Sequence, residues 1–156
     1  MKWDRLKKEI MLIGEYIHTI DEKNRVSLPA KFRKVMGKTV IITPGLDQCL
    51  FIFTTKEWEK VTKKLSDSDL SFLSADQRTF NRNMFGQAVD VEVDSIGRVL
   101  LPEFLIGRAK LKGQAALVGV QDRVEVWNDK TWVEYKKKAE LAAEGLAEKL
   151  GARKTA

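Results

Sequence analysis

From Gly14 the chain alternates with period two, placing Tyr16, His18 and Ile20 on one side and Glu15, Ile17 and Thr19 on the other. That is the mark of a strand with one buried face. The alternation returns at Ala88–Val93, where Val89, Val91 and Val93 occupy the places of Tyr16, His18 and Ile20. His18 therefore aligns with a valine and is read as a strand-face histidine, not as a catalytic group or ligand. After each strand comes a polar turn, then a short strand opened by an arginine, Arg25–Leu28 in the first case and one starting at Arg98 in the second.

Pro29 and Pro102 follow, each fixing φ at a value suited to a first helical position. Ala30–Met36, stopped by Gly37, and Glu103–Ala109 are the short helices predicted after them. Apolar runs then predict strands at Thr39–Thr43 and Ala115–Gly119, aligned residue for residue, and at Cys49–Phe53 and Arg123–Trp127, with a Pro44-Gly45 turn in the first copy. Helices open at Thr55 and Asp129, each with a tryptophan in its first turn, Trp58 and Trp132, and Thr54 with Glu57 fits a capping box.

The chain is thus written twice. We read residues 1–12 as a leader outside the repeat, 13–65 as the first repeat, 66–85 as a helical connector, 86–132 as the second repeat and 133–156 as a C-terminal helix and tail. In the leader, Trp3, Leu6 and Ile10 have helical spacing, and either Met1 or Met11 can be the natural start. The connector begins with a polar stretch, Ser66–Ser71, and Ser74 with Gln77 caps a helix carrying Arg78, Phe80, Arg82 and Met84. The last helix carries Trp132, Tyr135, Ala139, Ala142, Ala143, Leu146 and Leu150 as a stripe, suited to a neighbouring subunit or to fraying, with Lys136–Lys138 as a solvated face. Each repeat alone is marginal in size, so the two are expected to share one core about a pseudo-two-fold axis.

Composition narrows the function. With 28 Lys and Arg against 22 Asp and Glu, the net charge is +6, which favours an anionic partner. Cys49 is the lone cysteine, so an intramolecular disulfide or a cysteine-based metal site has no raw material, and a buried structural thiol is expected. No run has the length of a signal-peptide core or a bilayer span, so a soluble, cytoplasmic protein is expected, with no membrane partner. There is no glycine-rich phosphate loop, no nucleophile motif and a single histidine; an enzyme is not expected, nor a cofactor, a metal or a small-molecule ligand.

The candidate chemistry lies in the doubled turn. Asp21-Glu22-Lys23-Asn24-Arg25-Val26-Ser27-Leu28-Pro29 returns as Asp94-Ser95-Ile96-Gly97-Arg98-Val99-Leu100-Leu101-Pro102. Asn24 and Gly97, the types that best accept a positive φ, form the turns together with Pro29 and Pro102. Arg25 and Arg98 open the strands as rigid, bidentate donors suited to phosphate or a guanine edge. Asp21 and Asp94 hold the arginines or close the turns, and Lys23, Lys31, Arg33 and Lys34 add positive charge near the first copy. The plain structural alternative is a pair of hairpin ion pairs of little energetic weight.

The segment Gly14–Arg33, the second motif Val93–Pro102 and the intervening Arg82–Gly86 together resemble the MraZ family of bacterial transcriptional regulators, over about residues 11–150. That resemblance implies a mainly β (α+β) fold with short helices: two tandem swapped-hairpin AbrB/SpoVT-like β-barrel repeats in one pseudo-two-fold domain, plus the C-terminal helix. It also implies a sequence-specific regulator that binds double-stranded DNA at repeated short boxes upstream of the division and cell wall operon. Such a protein would act as a ring-like homo-oligomer on the nucleoid, with Arg25 and Arg98 as contacts, Lys23 and Arg33 beside them, and Asp21 and Asp94 as organisers. Asn24 replaces the glycine usual in the first motif. The rival expectation is an oligomeric assembly or adaptor protein that binds acidic partners.

Overall fold

The computed structural model describes residues 12–66 and 70–155. The expectations for the leader helix and for the natural start lie outside the described residues, as does Asp67–Asp69 of the polar stretch. In chain order the elements are β1 (Ile13–Thr19), β2 (Arg25–Ser27), α1 (Ala30–Met36), β3 (Thr39–Pro44), β4 (Leu50–Thr54) and α2 (Thr55–Leu65). A 3-10 turn at Ser71–Leu73 leads into α3 (Ala75–Met84), β5 (Val89–Glu92), β6 (Arg98–Leu100), α4 (Glu103–Arg108), β7 (Gln114–Val120), β8 (Val124–Asn128) and the long α5 (Asp129–Thr155).

Local chemistry sets several of these boundaries. The Thr54 hydroxyl accepts from the Glu57 N–H at 3.0 Å, and the Ser74 hydroxyl from the Gln77 N–H at 3.3 Å, so α2 and α3 start where capping residues stand. Pro29 and Pro102 sit one place earlier than expected. Their ψ values of 140° and 143° are extended, which makes them the caps that precede α1 and α4 rather than first helical residues. Gly37, at φ 77°, ends α1.

The strands form a six-stranded antiparallel sheet in the order β1-β7-β8-β4-β3-β5 and a separate ladder of β2 with β6. Each repeat gives its first strand to the other: β1 pairs with β7, and β5 with β3. The centre is symmetric too. In the β4–β8 ladder Phe51 faces Glu125, and in the β2–β6 ladder Val26 faces Val99, each residue opposite its own counterpart. A pseudo-two-fold axis therefore passes through both pairs.

The expected closed barrel is not formed. β1 and β5 remain the sheet's edges, and an isolated bridge from Ile20 to Val26, not a continued ladder, joins the end of β1 to the small ladder. β2 and β6 are three residues each and spend their ladder bonds on one another, so they lie as a lid over one face instead of completing a cylinder. The strand alignment also needs correction by one residue. Ile42 pairs with Ile52 and Leu117 with Val126, which makes Val40 the counterpart of Ala115, not Thr39. A one-residue slip would turn the buried positions outward.

The sheet packs on both faces. Under the lid lie Val26, Val99, Leu28, Leu101, Phe32 and Leu105 with Val40, Ile42, Leu117 and Val126. Burying a side chain the size of Phe32 stabilises by roughly 1.5–3 kcal/mol. The other face gathers Cys49, Phe51, Phe53, Met84 and Trp127, with Trp58 of α2, Phe80 of α3 and Trp132 of α5 against it. Cys49 is buried there, and burial pushes its thiol far above the usual range, consistent with a structural role. Lys136 is not merely solvated: its Nζ donates to Glu15 at 2.8 Å while the Trp132 indole donates to the same carboxylate at 2.9 Å, fastening α5 to β1. From Lys137 to Arg153 the helix is exposed, Leu141, Leu146 and Leu150 included.

Candidate nucleic-acid interface

Each doubled turn is closed by its own acid. The Asn24 N–H donates to the Asp21 carbonyl at 3.0 Å, and the Asp21 N–H to the Arg25 carbonyl at 2.9 Å. Asn24 then takes φ 61° and Gly97 takes φ 84°, the left-handed residue that ends a three-residue hairpin loop. The Asp21 carboxylate does two jobs at once. Oδ1 accepts the N–H groups of Lys23 and Arg25 at 2.9 Å each, and Oδ2 accepts Arg25 Nε at 2.8 Å.

Asp94 repeats the pattern with the N–H groups of Ile96 (3.1 Å) and Arg98 (2.8 Å) and with Arg98 Nε at 2.7 Å. The backbone N–H of the arginine, ahead of its side chain, holds each carboxyl below the usual aspartate range against the opposing effect of desolvation. Because only Nε is engaged, no hydrogen bond among the described residues uses the terminal nitrogens of either guanidinium. The acid orients the fork without consuming it.

The two turns meet through the lid ladder. Arg25 lies opposite Leu100 and Ser27 opposite Arg98, while Val26 and Val99 point into the core. Directly opposed residues share a face, and so do residues two apart. Arg25 and Arg98 therefore stand on one outer face as diagonal neighbours, about 7–8 Å apart by ladder geometry. The turns also brace each other: the Leu28 N–H donates to the Gly97 carbonyl at 2.9 Å and the Leu101 N–H to the Asn24 carbonyl at 2.8 Å.

The remaining predicted residues fall around this pair. Lys23 is exposed at the tip of the first turn, and Arg33 leaves α1 toward the second copy. Arg33 Nε donates to the Leu28 carbonyl at 2.9 Å, and its guanidinium covers Gly97 so closely that a Cβ there would overlap it. Sequence spacing gave no signal for this cross-copy contact. His18 donates from Nδ1 to the Ser27 carbonyl at 2.6 Å, tying β1 to the lid. Sequence reading also passed over Ile96, Leu100 and Phe104, large exposed apolar residues in the second copy. The signal was available, since their counterparts in the first copy are Lys23, Ser27 and Lys31.

The family model described as MraZ protein matches this chain twice, over residues 11–83 and 84–153. The chain belongs to the MraZ family. Among its relatives, the transcriptional regulator MraZ of Caldanaerobacter subterraneus subsp. tengcongensis is 42% identical over 140 residues, covering 90% of this chain and 96% of the relative. The protein of the same name from Carboxydothermus hydrogenoformans is 45% identical over 140 residues with the same coverage. These names describe regulators rather than catalysts, in agreement with the reading against an enzyme. Among the described residues, no helix of this MraZ-family chain is long and apolar enough to cross a membrane.

Proposed function

We propose that the chain is a sequence-specific DNA-binding transcriptional regulator, acting in the cytoplasm on the nucleoid. Its D-x-x-x-R turns would engage repeated short boxes upstream of the division and cell wall operon, presented on a ring-like homo-oligomer. The observation that supports this reading most directly is the β2–β6 register, which gives Arg25 and Arg98 a common outward face while Asp21 and Asp94 hold only their Nε atoms. A guanidinium oriented at Nε keeps its outer edge for phosphate oxygens or for guanine O6 and N7. Lys23 and Arg33 add charge at the rim. A two-stranded ribbon is also a shape the major groove admits.

One lid carries few base contacts, so affinity is expected to come from several linked copies on several boxes. The exposed stripe of α5 beyond Tyr135 is the surface we assign to the neighbouring copy in such a ring. The test is a mobility-shift titration of the protein's own upstream region against scrambled DNA at physiological salt. Preferential binding of the upstream region, reduced at least tenfold in Arg25→Ala and in Arg98→Ala with unchanged melting, is the expected result. Equal binding to both DNAs would remove the regulator reading.

A further inference from the structure

The two turns match in their Asp–Arg pairs and differ in what surrounds them. About the pseudo-two-fold axis, Arg25 exchanges with Arg98 and Ser27 exchanges with Leu100. Leu100 is 52% exposed, directly across the ladder from Arg25 and two residues along the strand from Arg98. At the turn tips Lys23 is answered by Ile96, which is 56% exposed. The Asp–Arg pairs keep the symmetry, and Lys23 against Ile96 and Ser27 against Leu100 break it.

A leucine in this position gains from burial only against apolar surface. A protein partner that covered it with hydrophobic side chains would also strip water from the guanidinium groups beside it, at a cost such a surface cannot offset. Duplex DNA offers both requirements together. Its phosphates and base acceptors satisfy the arginines, and the thymine 5-methyl group gives the major groove an apolar contact among polar base edges.

We propose that Leu100, with Ile96 at the adjoining tip, is a specificity-determining residue that packs on a thymine methyl group in the major groove. Because Ser27 occupies its symmetry-related place, the otherwise two-fold lid reads the duplex in one direction. This inference rests on the reading of the paired-arginine face as the DNA-binding surface. A strictly two-fold face selects a palindrome. A face with Leu100 on one side and Ser27 on the other selects an asymmetric box.

The experiment is selection of duplexes from a randomised library by the full chain, by Leu100→Ser, by Ser27→Leu and by the Arg25→Ala/Arg98→Ala double variant. The full chain should enrich a non-palindromic box with at least one fixed thymine. Replacing that thymine by uracil, which deletes only the methyl group, should weaken binding about 3- to 5-fold. Leu100→Ser should lose the thymine preference, ignore the uracil exchange and keep the salt dependence of the full chain, since phosphate contacts are untouched. Ser27→Leu should move the enriched box toward a palindrome.

Full-chain binding that is indifferent to uracil at every fixed thymine overturns the proposal. So does a Leu100→Ser variant that keeps the thymine preference, and above all one that does so while its sedimenting mass changes, which would assign Leu100 to a protein contact. If the double arginine variant binds as tightly as the full chain, the DNA-binding face itself is misassigned and both readings fall, a result distinct from loss of the thymine effect alone.

Discussion

At Gly97 two physical demands meet: a backbone φ of 84° and the Arg33 guanidinium lying where a side chain would begin. Gly113, at φ 75°, meets only the first, because nothing lies near its missing Cβ. Gly113→Ala should therefore cost about 1–2 kcal/mol, the strain of the left-handed region. Gly97→Ala should cost more, and adding Arg33→Ala should recover the excess, a coupling that urea denaturation of the parent chain, the two single variants and the double variant measures. Asn24→Gly, in contrast, should hold or raise stability, since it relieves a non-glycine residue at φ 61°.

Asp21 and Asp94 give the same scale its pH dependence. Both titrate below the ordinary aspartate range, first because they accept the N–H of Arg25 and Arg98. A carboxyl depressed in the folded state stabilises above its unfolded pKa and loses that contribution as pH falls through the folded value. The turns should stay closed through neutral and mildly acid solution and loosen only on acidification beyond the usual aspartate midpoint. Amide resonances of Arg25 and Arg98 followed against pH should show this, and a midpoint at or above the ordinary value would contradict it.

At the scale of elements, what the sequence announced followed local rules. Alternation marked β1 and β5, and capping residues marked α2 and α3, because strand faces and helix starts are decided by neighbours along the chain. The β3–β7 correspondence was off by one because apolar residues at Thr39–Thr43 and Ala115–Gly119 carry no strict alternation, and a strand buried on both faces does not reveal its register. The turn pairs were recognisable as Asp21–Arg25 and Asp94–Arg98, yet their common face depends on the β2–β6 ladder between distant segments. Nothing local encodes the reach of Arg33 to Gly97. For α5 the structure adds a clear expectation: Leu141 is 89% exposed, and Leu146 and Leu150 beyond it are exposed too. A chain ended at Lys138 should melt as the full chain does, while its mass by sedimentation should fall if the stripe joins neighbouring copies. A retained mass would move the ring contact elsewhere.

The whole molecule is an exchange of parts. With β1 given to the second repeat and β5 to the first, neither half holds its own outer strand. Residues 12–85 alone should fold only by pairing with a second copy, giving a melting temperature that rises with protein concentration. A concentration-independent cooperative transition would show that the halves do not need each other. The net charge of +6 and the paired arginines also predict a steep fall of DNA affinity with salt, and replacing either arginine should make that slope shallower by about one.

The pair on the symmetry axis carries a further consequence. Glu125 is almost buried, held by Arg123 at 3.0 Å and by the Trp127 indole at 3.1 Å, and the residue facing it is Phe51. In a dimer of identical chains a residue on the axis must face itself, so a glutamate there would set two carboxylates against each other in a desolvated site. Joining the two copies in one polypeptide removes that veto. Covalent fusion frees axial positions to diverge, and a buried charge opposite a phenylalanine is a composition that only a chain no longer bound to mirror itself can hold.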